Sequence, residues 1–173
     1  MSLLTTWGYT ITDADSLPAM LTEAEFNVLT ANKYASDTRI PGNIAAACEA
    51  IRNYCGWHVT PPQACSFSER LLMGNGRIKR AGADFLVQLP ATFVSGVSSV
   101  TIGGKEWTDY AVEANGLLRL FDVYVHGLTR KTEVVVTYTA GITAGSMSAI
   151  KELIAHRVIA RSEERRVGKE CRS

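Results

Sequence analysis

The stretch Ile51-Arg-Asn-Tyr-Cys-Gly-Trp-His-Val-Thr-Pro-Pro62 is where this 173-residue chain changes its periodicity. Leading into it, Ile40, Ile44, Cys48, Ile51 and Cys55 recur at steps of four, four, three and four, one apolar stripe on a helix. Gly56 stands where a helix C-cap takes a residue of positive φ. Beyond it, Trp57 and Val59 alternate with polar neighbours, and Pro61-Pro62 favours an extended exit. Nothing in the run is arranged for chemistry. It closes a helix and opens a β-rich middle.

Upstream, Thr22-Glu-Ala-Glu25 has the form of a capping box, a hydroxyl for an orphan N–H and a Glu three residues on to return the bond. It predicts a first helix carrying Ala24, Phe26, Val28 and Leu29 and ending near Ala31. Asp37 or Thr38 can cap the second helix, whose first turn tolerates Pro41 because N–H groups there lack helical partners. Ala45, Ala46 and Ala47 thin its other faces. Residues 1–16, with Thr6, Tyr9 and Ile11 among polar neighbours, read as an N-terminal arm with at most one brief strand.

Downstream the period is two. Phe85, Val87 and Leu89 alternate with Asp84, Leu86 and Gln88 until Pro90. Val100 and Ile102 lead into Gly103-Gly104 and back through Lys105-Glu-Trp107, a hairpin. Tyr110 and Val112 lead into Asn115-Gly116, the strongest short hairpin signal, then Leu118 and Leu120. Val134, Val136 and Tyr138 make a last strand. A final helix starts near Ser146, with Met147, Ile150, Leu153, Ile154 and Val158 expected to face inward. The expectation is an α+β fold: N-terminal helices, an antiparallel meander of about five or six strands, and a C-terminal helix.

Apolar residues make up 46% of the chain, enough for a sizeable core, and charged residues 20%. A formal net charge of +1 gives no strong field toward nucleic acid. Arg161-Ser-Glu-Glu-Arg-Arg-Val-Gly-Lys-Glu-Cys-Arg-Ser173 reads as the in-frame translation of a common short-read sequencing adapter, from AGATCGGAAGAGC onward. As a non-native tail it is set aside from fold reasoning and expected to make few packed contacts. Residues 17–160 are then expected to form one domain. Residues 1–160 carry thirteen basic and fourteen acidic side chains, a net of −1.

The start, Met1-Ser-Leu-Leu-Thr-Thr-Trp7, has no basic region and no long apolar region, so it does not read as a signal peptide. No run approaches the roughly 18 apolar residues of a membrane span. With the tail and its Cys171 set aside, three of the four cysteines remain, Cys48, Cys55 and Cys65, and an odd set of thiols without an export signal points to a reduced cytoplasmic setting.

Four pieces in order carry a resemblance. They are the two helices ending in Ile51-Arg-Asn-Tyr-Cys-Gly56, and the Leu89-Pro90 strand end followed by Val97-Ser-Ser-Val-Thr-Ile102 and a glycine turn. The others are Val134-Val-Val-Thr-Tyr-Thr-Ala-Gly141, and the helix Ser148-Ala-Ile-Lys-Glu-Leu-Ile-Ala-His156. Over about residues 20–160 the chain resembles the tailed-phage head–tail connector (adaptor) family. The loop Thr143-Ala-Gly-Ser146 departs from it by lacking a proline. The resemblance implies a structural virion assembly protein of a phage or prophage, not an enzyme. It implies a homo-oligomeric ring of roughly twelve copies in the neck, joining portal protein to a tail or stopper protein. DNA would only pass through the lumen, and no membrane is involved. Ala45–Ala47 and the last helix would face neighbouring subunits. The expected location is the virion, and the host cytoplasm during assembly. The alternatives are another neck or tail-completion protein, or a monomeric β-rich binding module.

Candidate chemical sites give way to blander readings. Cys48 and Cys55 lie about 10 Å apart along one helix, too far for two thiolates on one zinc at ~2.3 Å each. Cys55, His58 and Cys65 alone are one ligand short, and core packing is the better reading of the thiols. A Cys55–His58 nucleophile pair lacks a third group to orient the imidazole, and a helix C-terminus disfavours a thiolate. His126 and His156 read as surface or interface residues. Gly74-Asn-Gly76 and Gly103-Gly104-Lys105 lack the setting of a phosphate loop. Arg77, Lys79 and Arg80 form a small basic cluster, read as a solvated strand face before a contact with DNA or an acidic partner. Trp57 and Trp107 read as core anchors. No catalytic residue, cofactor or metal ligand is assigned.

Overall fold

The computed structural model describes residues 3–12, 14, 16–71, 76–123, 129 and 131–170, without side chains at 114, 144 and 165–170. The fold is α+β, with N-terminal helices, antiparallel sheets and a C-terminal helix. The chain forms two compact units, Met1–Leu17 with Gly56–Ile142 and Pro18–Cys55 with Thr143–Ser173.

The second unit is helical: α1 (Glu23–Leu29), α2 (Ile40–Cys55) and α3 (Ser148–Glu170). The capping box is formed, with the Glu25 amide donating to Thr22 Oγ1 at 3.2 Å and the Thr22 amide to Glu25 Oε2 at 2.9 Å. α1 stops at Leu29, short of Ala31, because Ala31 and Asn32 both take positive φ. Asp37 accepts from the Arg39 amide at 3.1 Å and grips the Arg39 guanidinium just ahead of α2. Ile40, Ile44 and Cys48 are buried as the stripe predicts, but Cys55 at the last turn is exposed. On α3, Met147 just ahead of the helix, Ile154 and Val158 are buried, whereas Leu153 is 58% exposed. Leu153 follows Ile154's face by only one position back, about 100° around the helix, so it turns outward.

α3 runs straight through the Ala160–Arg161 boundary. Ser162 is buried and Glu163 accepts from Tyr34 Oη at 2.8 Å, so the start of the tail is not free of contacts. Ser162 lies four residues after Val158 and eight after Ile154, so a continued helix carries it onto the same face.

The first unit is β. Strands β1 (Leu3–Leu4), β2 (Thr10–Ile11), β3 (Gln63–Arg70), β6 (Val94–Ile102), β7 (Lys105–Glu106) and β10 (Glu133–Ala140) share one sheet, ordered β1-β2-β3-β10-β6-β7. Strands β4 (Ile78–Ala81), β5 (Asp84–Gln88), β8 (Tyr110–Val112) and β9 (Leu117–Leu120) form the other, ordered β4-β5-β9-β8. Every pairing is antiparallel. β10 is the spine of the larger sheet. Its Val134, Val136, Tyr138 and Ala140 are fully buried, while Val135, Thr137 and Thr139 on the other face are half-buried. Phe85, Val87, Leu118 and Leu120 fill the core side of the smaller sheet. Both hairpin turns form, with positive φ at Gly103, Gly104, Asn115 and Gly116.

The N-terminal arm holds two short strands, because Gly8 at φ +87 lets the chain turn back on itself. The run after Gly56 is not a strand. Trp57, His58, Val59 and Thr60 are all buried, and Val59 sits at φ +68. The segment is held by the Ile142 amide donating to Val59 O and by Thr60 Oγ1 donating to Ile142 O, each at 2.8 Å. Alternation in sequence meant nothing there, because the polar residues were buried on internal bonds. Trp107 is only half-buried, its Nε1–H donating to Asp109 O.

Candidate functional site

His58 is fully buried, and its ring lies 2.7 Å from Tyr9 Oη through Nδ1 and 2.8 Å from Ala140 O through Nε2. A carbonyl only accepts, so Nε2 carries a proton and, in the neutral ring, Nδ1 accepts from Tyr9. Tyr9 Oη in turn takes the His58 backbone N–H at 2.9 Å. The ring is thus a structural pin between β2's approach and the end of β10, with no lone pair left for a metal or a nucleophile. Cys65 is buried on β3, and burial pushes its thiol up to about 12, far from a thiolate at neutral pH. Burial likewise pushes the Tyr138 hydroxyl up.

Cys48 and Cys55 belong to the helical unit, and His58 and Cys65 to the β unit. Among the described residues no group of three or more His, Cys, Asp or Glu side chains is arranged to hold a metal ion. His156 is exposed on α3, and His126 and Gly74-Asn75 lie outside the described residues. Gly76 packs against the Glu69 carboxylate, which accepts the Arg77 amide at 3.0–3.1 Å.

What the molecule presents instead is surface. On the helical unit a groove of about 410 Å³ runs between α1 and α3, lined by Ala24, Val28 and Leu29 on one wall and Ser148, Lys151 and Glu152 on the other. Val28 is 80% exposed and Leu29 50%. Both lie on a face of α1 that Phe26, fully buried, turns away from the core. Across the groove Lys151 Nζ meets Glu25 Oε1 at 2.5 Å. Of the alanines expected to face neighbours, Ala45 and Ala46 are exposed and Ala47 is buried. Tyr54 near the end of α2 is exposed almost completely.

On the β unit the outer face of β4-β5-β9 holds a hollow of about 400 Å³ lined by Arg77, Lys79, Leu86, Gln88 and Leu117. Lys79 pairs across to Leu86, and Leu86 to Arg119, which fixes these side chains on one face. Sequence reading found the basic cluster but not its floor, because only the pairing of β5 with β9 brings Leu86 and Leu117 onto one face. Phe93, at φ +56, is a further exposed aromatic, its ring 6.1 Å from and nearly parallel to that of Trp57.

No protein-family model matches the chain, and no curated protein matches it significantly. Among the described residues no helix is long and apolar enough to cross a membrane.

Proposed function

We propose that this chain is a structural protein of the tailed-phage neck, a head–tail connector that docks onto the portal and offers the next ring to the tail or stopper protein. The order of the four quoted motifs along one α+β chain carries the reading. Support comes from their local geometry: the helix ending in Ile51-Arg-Asn-Tyr-Cys closes on Gly56 at φ +71, and the strand ending in Tyr-Thr-Ala140 leads through a short loop into α3. The exposed apolar side chains on α1 and α3 suit a protein whose work is to contact neighbours. In this reading the chain is not an enzyme and takes no cofactor. It acts as a ring of roughly twelve copies, is found in the virion, and passes DNA only through its lumen.

The test is to mix the protein with its cognate portal and look for a stacked ring by electron microscopy. A decorated portal is the expected result. A chain that stays free at every ratio sinks the connector reading and favours a monomeric binding module. Decoration of a preformed neck, but not of bare portal, favours another neck or tail-completion protein. Ala46→Trp then probes the α2 face: Ala46 is exposed, so the monomer accepts the indole, and ring closure fails if that face meets a neighbour.

A further inference from the structure

We draw no further inference here: the strongest candidate, the apolar groove of the helical unit between α1 and α3, walled by Val28 and Leu29 on one side and by Ser148 and Lys151 on the other, is an uncovered face, and nothing in the structure shows what covers it.

Discussion

Glu25 does two jobs with one carboxylate: it closes the capping box on the Thr22 amide and accepts the Lys151 ammonium of α3 at 2.5 Å. The cap orients the carboxylate, so Lys151 finds an acceptor whose rotamer is already fixed. That lowers the entropic cost of a pair which, fully exposed, contributes little.

A pH dependence follows from this pair. The Lys151 ammonium, and after it the Thr22 amide, hold the Glu25 carboxyl down at about 2 from an ordinary 4.5. The stabilisation is full above about 4.5 and is lost as pH falls toward 2. With Glu25 42% exposed, solvent screening keeps it below about 1 kcal/mol. Urea melts should show Glu25→Gln less stable than wild type at pH 7, the gap closing at pH 2. An equal gap at both pH values counts against the ion pair.

Tyr9→Phe should destabilise the β unit by about 1–3 kcal/mol, because it strips a buried partner from both the His58 ring and the His58 amide. Denaturant unfolding gives the magnitude, and hydrogen exchange should show lost protection at the His58 amide. Nitrogen NMR of wild type should find the His58 proton on Nε2. A proton on Nδ1 alone contradicts the bond to Ala140 O.

Two glycines with positive φ should respond differently to alanine. At Gly141 (φ +143) a Cβ meets Pro62 Cα at 2.5 Å and Pro61 O at 2.8 Å, all backbone atoms. At Gly104 (φ +78) nothing lies within 4 Å. Gly141→Ala is expected to cost about 3 kcal/mol or to prevent folding, and Gly104→Ala about 1 kcal/mol. Thermal melts of both variants decide it, and equal losses reject the steric argument.

Comparing truncations that remove residues 165–173 and residues 161–173 isolates the contacts of Ser162 and Glu163. Removing 161–173 also takes away the Glu163 acceptor of Tyr34 and the buried Ser162. That loss is worth about 1 kcal/mol, or about 2–4 °C for a chain of this size. Identical melting curves for the two truncations refute the contact.

The order of elements was legible in the sequence because each depends on neighbours in the chain. The Thr22–Glu25 box, the stripe from Ile40 to Cys48, the Gly56 stop and the Gly103-Gly104 and Asn115-Gly116 turns are all set within about eight residues. The basic cluster at Arg77 and Lys79 was legible in the same way, as charge. What surrounds it was not. Among the described residues eight strands lie between Gln63 and Ala140, sorted into two sheets, with β10 paired to β3 and β6. Val136 thus sits opposite Phe67 on one side and Val100 on the other, partners that no local pattern announces. Burial of His58 needed Tyr9 and Ala140, 49 residues before it and 82 after it. Val28, Leu29 and Leu153 are exposed although each is as apolar as the buried Phe26 and Ile154 on the same helices. Periodicity tells which residues share a face of an element. Only long-range packing decides which faces are covered, because burial is a property of what arrives from elsewhere in the chain.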